Sequence, residues 1–335
     1  MPPSTVDPVQ WLAREYYELN GSYIEILDSP PTALGFSRLV HISRPVIIKA
    51  LHIPASLKWT DEYLVTEMGA QEISVAATPN GRADAVTEGP DGSFYFAEPY
   101  VDKMTMSGLL SKLTAVASDG PEVHYLQSQN GNLYGAEFFQ GQTDAKTTEF
   151  ELLRKDVPSE VSWASKALDR SPDAVNVWIG NGKSITSVHS DPYENLYTVV
   201  RGAKHFTLLP PTEGRYLNEK WYPHARYTRS SDGRLELTPS KDAPPVRWSS
   251  ILEPHLSGAL PAESHPIHVT LLAGESLYLP AGWWHHVRQA AGVTIAVNWW
   301  YDMEMRGVSW VMLSFMRKFG PAALDFDDNE EEGAE

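Results

Sequence analysis

The hydrophobic pattern changes rhythm near residue 121. Before that point several stretches repeat at helical spacing. After it, short apolar runs alternate with Gly, Pro and Asn turns. Residues 6–19 predict a helix, with Asp7 as cap, Pro8 in the first turn and Trp11, Leu12, Tyr16 and Leu19 at helical intervals. Residues 44–51 (RPVIIKAL) predict a buried strand, and 60–69 a short helix ending at Gly69. Residues 72–86 predict a hairpin about Pro79-Asn80-Gly81, and 106–117 a helix capped by Ser107. Downstream, 122–129, 174–180, 184–191, 194–200, 204–210, 267–273, 275–280, 285–290 and 293–301 are candidate strands. So many strands at such short spacing predict a sandwich or barrel. The Pro-rich, charged stretch 211–263 shows no period and predicts a long surface insertion. Residues 309–319 predict a last apolar helix, and the acidic tail 325–335 a disordered end.

Composition narrows the classes. No run approaches the ~18–20 apolar residues of a membrane span, and the N-terminus has no basic and apolar leader pattern. There is no cysteine, so disulfides and thiolate metal sites are excluded; this fits a cytosolic or nuclear setting. The net charge is −16, of which seven charges sit in the tail, leaving −9 on residues 1–324. An acidic body argues against sequence-independent binding to DNA or RNA and is compatible with a basic peptide partner.

Candidate chemistry begins at His189-Ser190-Asp191. On a strand, residues two apart share a face, so the imidazole and carboxylate converge on one ion. His-x-Asp alone is weak. Far downstream, Gly274 to His285 has the form G-x5-P-x-G-x2-H, the second motif of the cupin superfamily. Two histidines and one carboxylate leave three coordination positions free, as in non-haem Fe(II) oxygenases. Adjacent His285 and His286 face opposite ways on a strand. The motif spacing selects His285 as ligand and leaves His286 a supporting hydrogen bond. The other histidines, His255 among them, carry no ligand spacing.

Lys204 follows His189 by fifteen residues, across a predicted hairpin at Arg201-Gly202-Ala203. A lysine pointing into a barrel needs an anion or loses its proton. Thr186 lies three residues before His189, so a shared pocket requires a bulge between them. Asn195, Asn298 and Tyr125 are polar groups on apolar strands; a cosubstrate carboxylate and ordinary core hydrogen bonding both remain open for each.

The stretch DAVNVWIGNGKSITSVHSDPYENLYTVVRGAKHFTLLPP, with ESLYLPAGWWHHV and AVNWWYDME, resembles the JmjC-domain oxygenases, in their small hydroxylase branch. The resemblance spans about 40–302 and is strongest in the two metal-bearing segments. It implies a mainly β double-stranded β-helix of about eight strands with flanking helices. It implies His189, Asp191 and His285 as ligands of Fe(II), and Lys204 and Thr186 as seats of the distal carboxylate of 2-oxoglutarate, with O2 as cosubstrate. Asn195 and Tyr125 match further cosubstrate contacts, and Asn298 and Trp300 match pocket-lining positions. The implied activity is C3 hydroxylation of a lysine in a basic segment of a developmentally regulated GTP-binding protein. Rivals are the same chemistry on Asn, Arg or a tRNA base, an inert metal-binding cupin module, and an interaction protein working through its tail. The chain divides into an N-terminal region 1–120, a catalytic barrel 121–302, a helix 303–324 through which a homodimer could form, and the tail.

Overall fold

The period-two runs of the second half fold into the barrel. The computed structural model describes residues 7–115, 122–129, 131–141 and 147–318; the acidic tail lies outside them. In chain order the barrel strands are β1 (Ala174–Gly180), β2 (Ile185–His189), β3 (Tyr193–Arg201) and β4 (Ala203–Leu209). They continue with β5 (Ile267–Leu272), β6 (Ser276–Leu279), β7 (Trp284–Gln289) and β8 (Thr294–Asp302). The order β6-β3-β8-β1 makes a major sheet, and β5-β4-β7-β2 a minor sheet. All pairings among these strands are antiparallel. This is the expected double-stranded β-helix.

Strand alternation sorts the major sheet into two faces. Val175, Val177, Ile179, Leu196, Ile295, Val297, Trp299 and Tyr301 point outward into one buried apolar cluster. Phe36, Leu64, Met68, Leu109, Leu110 and Leu113, from helices Ala33–Ile42, Asp61–Met68 and Met106–Thr114, cover that face. Trp178, Tyr197, Ala296 and Trp300 point inward, with Asn176, Asn195 and Asn298 buried among them. The predicted strand at 44–51 is Val46–Ile48, fully buried on the β6 edge. The first helix is Pro8–Asn20, with Asp7 accepting from Val9 N.

Four local expectations change. The turn at Arg201-Gly202-Ala203 is not a hairpin: β3 pairs with β6 and β8, whereas β4 pairs with β5 and β7, so the turn is a corner between sheets. Gly202 (φ +77°) permits it, because a Cβ there would meet Thr294 Oγ1 at 2.5 Å. Residues 72–86 turn at Gly81 without closing a hairpin. Glu72–Thr78 pairs with Tyr100–Thr105 and Val123–Tyr125, while Arg82–Ala83 leaves to run parallel to β2. Ile185 N donates to Gly81 O (2.9 Å), so the barrel takes the backbone bonds a hairpin would have used. The cap of the helix Met106–Thr114 is Thr105, whose hydroxyl accepts from Gly108 N, not Ser107.

The fourth change is the largest. Residues 211–263 are not an irregular insertion. Glu219–Tyr222 pairs with Val246–Ser249, and His224–Arg229 pairs with Leu235–Pro239. His224–Arg229 also runs parallel to Phe94–Glu98 of the N-terminal region. Charged side chains hide this pattern in the sequence, because Arg226 and Arg229 pair with Glu98 and Glu122 rather than mark a loop. The final helix, Val308–Lys318, lies across the Pro280–Gly282 turn, where Leu313 covers Gly282 and Arg317 pairs with Glu219.

Candidate metal centre

The two candidate histidines are held by one device and the carboxylate by another. His189 ends β2, and its Nδ1–H donates to Ser187 O (2.8 Å). His285 enters from β7, and its Nδ1–H donates to Trp283 O (3.0 Å). Both backbone bonds fix the tautomer and leave the Nε2 lone pair free to bind a metal. Both Nε2 atoms lie 3.7 Å from the same oxygen, Asp191 Oδ2. Asp191 is in turn tied to the second motif, since Gly282 N donates to Asp191 O (2.8 Å). Gly282 has φ +79°, a conformation that favours glycine, which accounts for its place in the P-x-G turn. Burial, then the adjacent His189, lower the His285 pKa to about 4, partly offset by Asp191, so the imidazole stands neutral and ready to ligate. Two nitrogens and one carboxylate on one side suit non-haem Fe(II), and among the described residues no fourth ligand closes the set, so coordination positions stay open.

The bulge that Thr186 requires is present. Thr186 pairs with Val287 and His189 with His285, so the register shifts between them. Thr186, His189, Asp191, His285, Tyr125, Asn195, Asn298 and Trp300 consequently line one chamber. Lys204 is fully buried behind it, with Nζ donating to Tyr125 Oη at 3.2 Å. Thr186 also hydrogen-bonds Tyr125, whose phenol burial holds far above the usual range. Burial lowers the Lys204 pKa to about 7. No carboxylate pairs with this amine among the described residues, so it offers half a salt bridge to an incoming anion. Asn298 is engaged within the protein: its Oδ1 accepts from Trp178 Nε1 (2.7 Å) and its Nδ2 donates to Asn195 Oδ1 (3.1 Å). Trp300 Nε1 is buried without a hydrogen bond.

His286 departs from expectation. It points away from the chamber and neither ring nitrogen makes a hydrogen bond. Three site residues were missed in the sequence. Trp248, from the folded 211–263 segment, stacks on His189 with ring centroids 6.0 Å apart and donates to Ser187 Oγ. Asp84 and Glu98 line a cleft of about 730 Å³ that opens onto His189 and Asp191. Burial, then nearby Glu98, raise the Asp84 pKa to about 6, while Gln127 Nε2 donates to its carboxylate at 2.8 Å. Burial also works against Glu98, yet Arg226 and His224 hold its pKa below the usual value. A charged residue between two alanines in RADAV was a signal for Asp84; Trp248 had none.

Residues 31–307 match the cupin-like domain family. The chain is 39% identical to the lysine-specific demethylase JMJ32 of Arabidopsis thaliana, covering 88% of this chain and 87% of that protein. It is 40% identical to the human bifunctional peptidase and (3S)-lysyl hydroxylase JMJD7, covering 84% of each. It is 33% identical to JmjC domain-containing protein E of Dictyostelium discoideum, covering 86% of each. Fold, family match and relatives agree: this chain belongs to the cupin-like JmjC oxygenases, a family of 2-oxoglutarate-dependent dioxygenases.

Proposed function

We propose that this chain hydroxylates a lysine side chain, at C3, in a basic segment of a protein, with a developmentally regulated GTP-binding protein as the substrate. The observation that carries the reading is a convergent metal triad placed between an anion seat and a cation seat. His189, Asp191 and His285 would hold Fe(II). Lys204, with Thr186 and Tyr125, would receive the distal carboxylate of 2-oxoglutarate. Trp300, with its unpaired indole N–H, and Asn195 would border the cosubstrate. When bound, the pair supplies O2 activation: 2-oxoglutarate becomes succinate and CO2 as one oxygen atom enters the substrate C–H bond.

The protein's own residues bind and orient. Lys204 is protonated on pairing with the dicarboxylate, which turns a buried, half-deprotonated amine into a paired cation. Asp84, in the cleft beside His189, accepts the substrate ammonium, because it is a half-buried carboxylate whose side-chain hydrogen bond among the described residues is to the neutral Gln127. The same cleft opens onto His189 and Asp191, so an ammonium held at Asp84 would set the aliphatic stem, rather than an N-methyl group, beside the metal ligands. Trp248 and Trp178 wall the cleft and limit water near the reacting carbon. A second copy docked on the exposed Val308, Val311 and Met312 of the last helix is part of the proposal; sedimentation of Met312→Glu tests it.

The human relative named a lysyl hydroxylase supports this reading; the plant relative named a demethylase supports a second one at nearly equal identity. One experiment separates them. Lysine and methyllysine peptides are incubated with the protein, Fe(II), 2-oxoglutarate and air, and weighed by mass spectrometry. Gain of one oxygen on unmodified lysine, lost in His189→Ala, is the expected result. Loss of a methyl group with release of formaldehyde would replace hydroxylase by demethylase. No change in either peptide, with succinate still formed, would send the substrate assignment elsewhere.

A further inference from the structure

β7 carries a second histidine on its other face. His286 projects to the outside of the minor sheet, opposite Thr207 on β4, which itself faces His268 on β5. Its side chain is fully buried, and both ring nitrogens are without a hydrogen bond. A buried imidazole with neither nitrogen partnered is costly and calls for a ligand. Two further donors meet it from the segment that follows Val246–Ser249. The His255 ring stacks on His286, centroids 5.4 Å apart and planes 14° from parallel. Glu253 Oε2 lies 3.3 Å from His255 Nδ1, which also makes no hydrogen bond. The other carboxylate oxygen of Glu253 is held by Arg82.

We propose that Glu253, His255 and His286 form a second divalent-metal site, separate from the barrel interior. One ligand atom from each lies within 4.8 Å of the others, so small side-chain rotations bring them onto one ion at bonds of about 2.1 Å. Two imidazoles with one carboxylate select Zn(II) or a neighbouring transition ion over Ca(II) or Mg(II), which require mostly oxygen. Arg82 plays the supporting part that fixes a ligating carboxylate. His255 and Glu253 are 16% and 26% exposed, so the rim of the site reaches the surface while the ring nitrogens of His286 lie beneath it. The cationic side chain of Arg82 and the presence of only three protein ligands make the ion exchangeable rather than permanent. Binding would clamp the Glu253–His255 segment to the strand that delivers His285 to the interior.

The test titrates Zn(II) chloride into metal-free full-length protein by calorimetry. The wild type should take two ions per chain. The double variant His189→Ala/Asp191→Ala, which dismantles the interior triad, should keep one. Adding His255→Ala or, separately, Glu253→Gln to that background should weaken the remaining ion at least tenfold, with circular dichroism unchanged. These partly exposed positions are chosen because His286→Ala opens a buried cavity. Co(II) in the double variant should give a visible d–d spectrum that His255→Ala removes. A double variant that binds no ion, or one whose affinity is unmoved by both His255→Ala and Glu253→Gln, would overturn the site.

Discussion

The two faces of the major sheet come from the same strands and differ in what they contain. Outward, Val175, Val177, Ile179, Ile295, Val297 and Trp299 are apolar and buried under helices, and the indole of Trp299 donates to Pro158 O. Inward, Asn176, Asn195 and Asn298 form a buried ladder, Trp300 Nε1 is unpaired, and Lys204 crosses from the opposite sheet without an anion. The outer face lowers the energy of the fold. The inner face also buries apolar rings, but Lys204 and the Trp300 indole N–H subtract from that gain, and both lie at the chamber proposed to take the cosubstrate. Unpaired buried ionisable groups in a cleft are the signature of such a division.

Substitutions can break that comparison. The largest stability effect is expected outside. Trp299→Ala should lower unfolding free energy by about 3–5 kcal/mol in chemical denaturation, leaving 2-oxoglutarate affinity of the folded fraction within a few-fold. Inside, Lys204→Met should do the reverse. Loss of the buried cation should weaken 2-oxoglutarate binding by roughly 100-fold or more. Without cosubstrate the same variant should melt higher than wild type. The sign follows from the pKa: Lys204 is depressed to about 7, so the penalty is full below pH 7 and fades as pH rises toward the unfolded value near ~10.4. The melting advantage of Lys204→Met should therefore shrink from pH 7 to pH 10.

Asp84→Asn sharpens the contrast at the cleft. The carboxyl is raised to about 6, so its ionisation opposes folding above that pH and not near pH 4. The substitution should stabilise the protein by about 1–3 kcal/mol at pH 7, with no gain at pH 4. It should also raise KM for a lysine peptide roughly tenfold, consistent with loss of one charge-assisted contact. Wild-type peptide affinity should improve as pH rises through 6, and Asp84→Asn should lose that dependence. The smallest effect belongs outside again: Ile295→Val should cost about 0.5–1.5 kcal/mol and leave KM for both substrates unchanged.

Much of this was legible in the sequence because it is local. Strand alternation sets the two faces of β1, β3 and β8, and His189-x-Asp191 with Pro280-x-Gly282 puts two histidines on adjoining strands and Asp191 in the turn just past β2. What was not legible depends on distant partners. Arg82–Ala83 abandons a hairpin because β2 offers it backbone bonds, and His224–Arg229 becomes a strand because Phe94–Glu98 lies beside it. Trp248 reaches His189 only through that folded segment. The bulge at Thr186 needed the partner strand β7 to be seen, although the need for it followed from parity alone.

The most direct test of the central claim counts protons. Fe(II)-loaded protein would be titrated with 2-oxoglutarate without oxygen at pH 8, by calorimetry in buffers of different ionisation enthalpy. Uptake of close to one proton per 2-oxoglutarate bound is the expected result, disappearing in Lys204→Met along with most of the affinity. Binding of equal strength in Lys204→Met, with no proton taken up by the wild type, would contradict the assignment of the buried lysine as the cosubstrate's seat.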